Sequence, residues 1–427
     1  MKREIRKECD GFLKYINESP TPYHSATYLS GMLARAGAIR LAEEDEWEIL
    51  PDRLYYLVKN GTLLSFFRIS SRKKPLEYGF HIAGAHHDAP GFRVKPAVST
   101  VDDGYERLTL EPYGGLIQHV WLDRPLACAG RIYYDNGEKT DSADFNIRKP
   151  FAVIPSAAIH LLGSVNEGAR FDLQTELRPF VAQSPSGESS FLTYAAKAAG
   201  IPNRRILSFD ILLYDAAPAG YAGLHDEFLS SPHLDDCEMA YALTAGAVSE
   251  DAADHSFVAF VYDHEECGSA SDRGAQSGFF EALLERLCGR LGYSREDLFR
   301  TMARSVIFSA DMAHAAHPSY PQTGDPDTKV RLNRGPVLKL NANQSYATSA
   351  SGSAYFKKLC AQSGIPYQEY VNRSTIRGGR TIGPMLSAKS GMIAVDIGNP
   401  LLAMHSAREF GGTEDLYHMR RLFSAFF

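Results

Sequence analysis

Four short apolar runs, each breaking off into a polar cluster, constrain this chain more than any other feature. They are Tyr78-Gly-Phe-His-Ile-Ala-Gly before Ala85-His-His-Asp, Ser256-Phe-Val-Ala-Phe-Val-Tyr before Asp263-His-Glu-Glu, Ser305-Val-Ile-Phe before Ser309-Ala-Asp-Met-Ala-His, and Met392-Ile-Ala-Val-Asp-Ile before Gly398-Asn-Pro. Met404-His-Ser follows the last of these closely. Uninterrupted runs this short, rich in β-branched and aromatic residues, suit strands buried on both faces. Helical patterns lie between them at 235–249 and 275–291. Strands alternating with helices imply an α/β core with a mostly parallel sheet, whose ligands bind beyond the carboxyl ends of the strands. Every polar cluster falls at that end.

The remaining chain divides around this core. Ser19-Pro-Thr-Pro-Tyr-His opens a helix, with Thr21 placed to cap, Pro22 at the first helical position and a stop near Gly37. Asn60-Gly61 between two apolar runs predicts a hairpin. From 96 to 221 the pattern turns β-rich, with strand-like runs at 107–111, 116–121 and 127–134, an Asn136-Gly137 turn and a polar tract at 139–146. That stretch reads as an insertion, leaving 1–95 and 222–427 as the core domain. A length of 427 residues accommodates both. With 45 basic and 51 acidic residues the net charge is −6, which argues against a nucleic-acid or anionic-membrane surface. No run approaches the ~18 apolar residues of a membrane span. The six cysteines include no C-x-x-C pair, so reduced thiols in the cytoplasm are expected.

Each polar cluster alone has a bland reading. His86-His87-Asp88 suits a hydrogen-bonded loop, Glu265-Glu266 a solvated turn, and Asp235-Asp236 a helix N-terminus. The force lies in their coincidence at one sheet edge. Two histidines and three carboxylates suit a pair of divalent ions, zinc first, with manganese or cobalt as alternatives. Two ions about 3.5–4 Å apart need a bridging carboxylate and share one activated water. A doubled glutamate lets one side chain ligate while its neighbour takes a proton. Asp88 is placed to hydrogen-bond the free ring nitrogen of His86 and fix its tautomer.

At these residues the sequence resembles the M18 family of metallo-aminopeptidases, the aspartyl aminopeptidases. The resemblance runs nearly end to end, through Ala85-His-His-Asp-Ala-Pro-Gly-Phe-Arg, Tyr113-Gly-Gly, Trp121-Leu-Asp-Arg-Pro-Leu, Ile154-Pro-Ser-Ala-Ala-Ile-His, Ser231-Pro-His-Leu-Asp-Asp, Asp263-His-Glu-Glu-Cys-Gly-Ser, Ser309-Ala-Asp-Met-Ala-His-Ala-Ala-His-Pro, Gly335-Pro-Val-Leu-Lys, Thr381-Ile-Gly-Pro and Met404-His-Ser-Ala-Arg-Glu. It implies that Asp235 bridges two ions, one also held by His86 and Asp311, the other by Glu266 and His405. Glu265 would be the general base, Asp88 would orient His86, and His160, His317 and Lys339 would lie near the substrate. The resemblance further implies that the inserted segment dimerises, that dimers assemble into a dodecamer, and that His160 reaches a neighbouring subunit's site. The expected activity is removal of the N-terminal residue of peptides, Asp or Glu preferred, with Lys339, Arg377 or Arg380 as partner for the acidic side chain. Rival readings are another di-metal amide hydrolase, such as a deacylase or carboxypeptidase, and a non-catalytic scaffold. The sequence departs from the family pattern at His87 (usually Thr), Ala89 (often Ser), His233 (often Arg) and Cys267 (usually Val), the last read as a small buried hydrophobe. The stretch Arg373-Ser-Thr-Ile-Arg-Gly-Gly-Arg lacks a common Asp near Thr375 and holds extra arginines.

Overall fold

The four apolar runs form neighbouring strands of one nine-stranded sheet. In a computed structural model describing residues 1–163, 166–168, 170–249 and 254–427, the strands Phe257–Tyr262, His81–His86, Val306–Ala310 and Ile393–Gly398 lie side by side in that order. All four are parallel, with Tyr262 opposite His86 and Ser309 opposite Gly84, so their carboxyl ends share one edge. Alternate residues feed two separate cores. Ala83, Ala85 and Val261 pack with the helices Arg3–Glu18, Leu234–Ala247 and Thr413–Phe426 on one face. Ile82, Phe260 and Tyr262 pack with Phe279–Arg290 on the other, as the two-residue period of a strand requires.

The sheet is mixed rather than parallel throughout. Leu54–Lys59 and Leu63–Arg68 form the expected hairpin, turning through Asn60 (φ 48), Gly61 (φ 84) and Thr62, and so short a connection imposes antiparallel pairing. Leu63–Arg68 then pairs antiparallel with Phe257–Tyr262, and Val337–Leu340 does the same beside Ile393–Gly398. The helix Pro22–Arg35 begins where its sequence indicates, but the Thr21 hydroxyl bonds the His24 ring at 2.8 Å and caps no backbone N–H.

The second sheet has six strands, all antiparallel, in the order Thr140–Ala152, Leu126–Asp135, Arg205–Asp215, Gly91–Asp102, Tyr105–Tyr113 and Phe180–Gln183. It has its own core around Phe92, Trp121, Ile132 and Phe145. Two local expectations are corrected here. The run at 116–121 contains a 3-10 turn, Gln118–Trp121, and the polar tract at 139–146 belongs to the strand Thr140–Ala152. Residues 164, 165 and 169 of the expected insertion lie outside the described residues. Among the described residues no helix is long and apolar enough to cross a membrane.

Candidate metal centre

At the shared strand edge the backbone itself fixes the direction of each side chain. His86 ends its strand, donating its N–H to Asp236 Oδ2 at 3.1 Å. Its Nδ1 lies 3.1 Å from the Asp88 carbonyl oxygen and 3.3 Å from Asp88 Oδ1. That leaves Nε2 facing Asp235 Oδ1 at 3.7 Å and Glu265 Oε2 at 4.0 Å. Asp88, almost wholly buried, also accepts the backbone N–H groups of Glu265 and Glu266 at 3.1 Å each and the Tyr113 hydroxyl at 2.6 Å. One carboxylate thus orients His86 and holds the glutamate pair. Asp235 stands at the start of Leu234–Ala247 with non-helical φ and ψ of −80° and 109°, its N–H donated to Glu409 Oε2 at 2.9 Å. The other Glu409 oxygen accepts the His405 N–H at 2.8 Å. His405 Nδ1 meets the Gly115 carbonyl at 2.9 Å, so Nε2 faces Asp235 Oδ2 at 3.5 Å and Glu266 Oε2 at 3.4 Å. His233, His264, Ala403 and His405 all hold positive φ, between 57° and 66°. Non-glycine residues take that conformation at a cost, and such strain gathers at functional sites.

The donors fall into groups matching a two-ion site. His86, Asp235 and Asp311 offer ligand atoms within 4.8 Å of one another, and so do Asp235, Glu266 and His405. Asp235 belongs to both groups. A third combination, His86 with Glu265 and Glu266, overlaps them. Buried Asp235 Oδ1 has no hydrogen-bond partner, an orphaned acceptor that a cation would satisfy. The side chains alone are also electrostatically unbalanced. Burial and then repulsion from Asp235 push Glu266 well above the usual carboxylate range. Burial, with Asp311, Asp88 and Asp235 as neighbours, outweighs the pull of His86 and raises Glu265 to about 7. Burial disfavours a charged His405, yet the Asp235 carboxylate overrides it and lifts the imidazole to about 9. Crowded buried carboxylates with nitrogen donors between them fit divalent zinc.

A cavity of about 560 Å³ opens on these donors, lined by His86, Asp235, Glu265, Glu266, Asp311 and His405 with His314, Arg380, Met385 and Met404. Lys339 does not line it. Its side chain is buried, with Nζ 3.5 Å from Asp311 Oδ2 and 5.4 Å from the Tyr346 ring centre. His317 lines an adjoining cavity of about 390 Å³ with Arg377, and His314 lines both. His314 was not among the candidate residues although it lies in the same motif; two residues separate it from Asp311, and position alone does not distinguish it from His317. His160 is exposed and lines neither cavity. Cys267 is exposed rather than buried, because it sits on the turn beyond Glu266, where its Sγ approaches the His264 carbonyl at 3.5 Å. Tyr113 and Glu409 belong to motifs recognised in the sequence, but their hydrogen bonds to Asp88 and to the Asp235 and His405 backbones are visible only in the fold.

Known proteins similar to this chain are numerous. The family model described as aminopeptidase I zinc metalloprotease (M18) matches residues 15–427. A probable M18 family aminopeptidase 2 of Clostridium novyi is 37% identical over 434 residues, covering 100% of both chains. A chain in the cryo-EM structure of the Ape4 and Nbr1 complex superposes with a TM-score of 0.95 at 34% identity, covering 99% of this chain and 86% of that one. The structure of the S. cerevisiae mApe1 dodecamer contains a chain similar at TM-score 0.85 and 27% identity, with 99% and 97% covered.

Proposed function

From its membership of the M18 family, to which this chain belongs as a zinc-dependent aminopeptidase hydrolysing peptides at the N-terminus, we propose a role for each residue of the centre. His86, Asp235 and Asp311 hold one ion, and Asp235, Glu266 and His405 hold the other. The observation that carries this reading is the double membership of Asp235, with Glu265 directly beside both donor groups. Bound there, the ions supply Lewis-acid polarisation of the scissile carbonyl and of a water molecule. Glu265 takes the proton of that water and passes it to the leaving amine. Asp88 keeps Glu265 and His86 in register, and His317, Lys339 and His314 border or support the substrate space.

The preference proposed for the first residue is acidic. Arg380 supports it as a guanidinium on the wall of the metal cavity, whereas Lys339 is already paired with Asp311. The six-stranded sheet is proposed as a dimerisation domain, with dimers forming a dodecamer in the cytoplasm. His160 supports an intersubunit role: it sits in an exposed apolar stretch with Ile159, Leu161 and Leu162 55%, 85% and 47% exposed. Exposed apolar surface of this kind marks association sites.

The deciding experiment pairs each peptide of an aminoacyl panel with its N-acetylated twin on zinc-loaded protein. Cleavage confined to free amines is expected. Equal cleavage of the acetylated peptides would favour a deacylase or carboxypeptidase instead.

A further inference from the structure

The metal centre is not assembled from the nine-stranded sheet alone. Tyr113 is the last residue of Tyr105–Tyr113, a strand of the second sheet, and its hydroxyl donates to Asp88 Oδ2 at 2.6 Å. Gly114 follows with φ 65°, and a Cβ built there would lie 3.0 Å from the Glu266 Cβ. The Gly115 carbonyl accepts from His405 Nδ1. Three consecutive residues therefore touch Asp88, Glu266 and His405. The segment is itself held in place. The Arg93 guanidinium lies 5.4 Å over the Tyr113 ring and pairs with Asp210 at 2.7 Å, both residues being in strands of the same second sheet.

We propose that Tyr113-Gly114-Gly115 is a positioning element through which the second sheet aligns the metal centre of its own subunit. This rests on the assignment of the metal ligands above. Tyr113 sets the Asp88 carboxylate, which in turn presents the Glu265 and Glu266 backbones and the His86 ring. Gly114 allows close approach to Glu266 that any side chain would obstruct, in a left-handed conformation suited to glycine. Gly115 fixes the His405 tautomer, leaving Nε2 as the ligating atom. The second sheet then has a task within one subunit besides any contact between subunits.

Tyr113→Phe tests this, because it keeps the ring under Arg93 and removes only the hydroxyl. Zinc affinity of the full chain is measured by chelator competition, alongside kcat and KM on a peptide cleaved by the unmodified protein. Zinc affinity is expected to fall about 10–100-fold, the usual effect of removing a partner behind the ligands, with kcat falling and KM holding. Gly114→Ala should weaken zinc binding further by displacing Glu266, while sedimentation of both variants stays that of the unmodified protein. Unchanged zinc affinity in Tyr113→Phe, or a loss confined to thermal stability, overturns the proposal. If the unmodified protein cleaves no peptide, the aminopeptidase reading fails, and chelator competition still decides the role of Tyr113.

Discussion

Among individual residues, Glu265 and Glu266 separate most sharply by their surroundings. Both backbones hang from Asp88, yet only Glu266 joins His405 and Asp235 in a donor group. Glu265→Gln is nearly isosteric and cannot accept a proton. Turnover should fall about 10²–10⁴-fold, with zinc content by elemental analysis unchanged; loss of both ions would make Glu265 a ligand instead. Asp235→Ala should empty both sites together, whereas His405→Ala should empty mainly one, and two ions per chain in the Asp235 variant would refute the bridging role. The gathering of these candidate donors was legible in the sequence because each follows an apolar run or opens a helix, and those elements determine where the chain turns, whereas their individual roles came from the family resemblance. Tyr113 and Glu409 were not assigned roles, since their importance lies in hydrogen bonds to Asp88, Asp235 and His405, groups far away along the chain.

Individual elements were legible where periodicity and turn chemistry agreed, as in the Asn60-Gly61 hairpin. The 139–146 tract reads as polar because much of Thr140–Ala152 is solvent-facing, so its alternation carries few apolar residues. The helix Arg3–Glu18 hides behind charged residues, although Ile5, Cys9, Phe12 and Ile16 bury one face at helical spacing. Glu106 illustrates a dependence between elements that no local pattern announces. Buried in Tyr105–Tyr113, it accepts from the Ser99, Ser189 and Ser190 hydroxyls and the Ser190 and Phe191 N–H groups, closing the start of the helix Phe191–Ala198. Burial opposes its charge, but these donors win and hold the carboxyl at about 2. Glu106→Ala should cost about 1.5–3 kcal/mol, the scale of a hydrogen bond to a charged group, read from denaturant unfolding. Because the folded group titrates lower, its contribution is complete above the ordinary carboxylate range and fades as pH falls from about 4.5 towards about 2. A variant whose deficit is the same at pH 7 and pH 2.5 would contradict this.

Over the whole molecule, the proposed visiting role of His160 predicts complementation. Glu265→Gln and His160→Ala subunits are each impaired for a different reason, so mixed assemblies should contain some sites with a native base and a native neighbour. Part of the activity should return once subunit exchange is verified by mass spectrometry; exchange without recovery would exclude a shared site. The change of pattern near 96 falls within the six-stranded sheet, one of three among the described residues, while the antiparallel pairing of the Asn60-Gly61 hairpin and of Val337–Leu340 onto the four parallel strands was not legible, because pairing direction depends on connections rather than on apolar runs. The spread of the donors from His86 to His405 has a consequence for synthesis. A nascent chain makes its first donor early, then the whole second sheet, then the glutamate pair, and His405 with its Glu409 partner only after Ile393–Gly398 has been translated. A product that stops short of His405 lacks one member of the proposed set, so on this assignment a nascent chain cannot hold both ions until most of this sequence has been made.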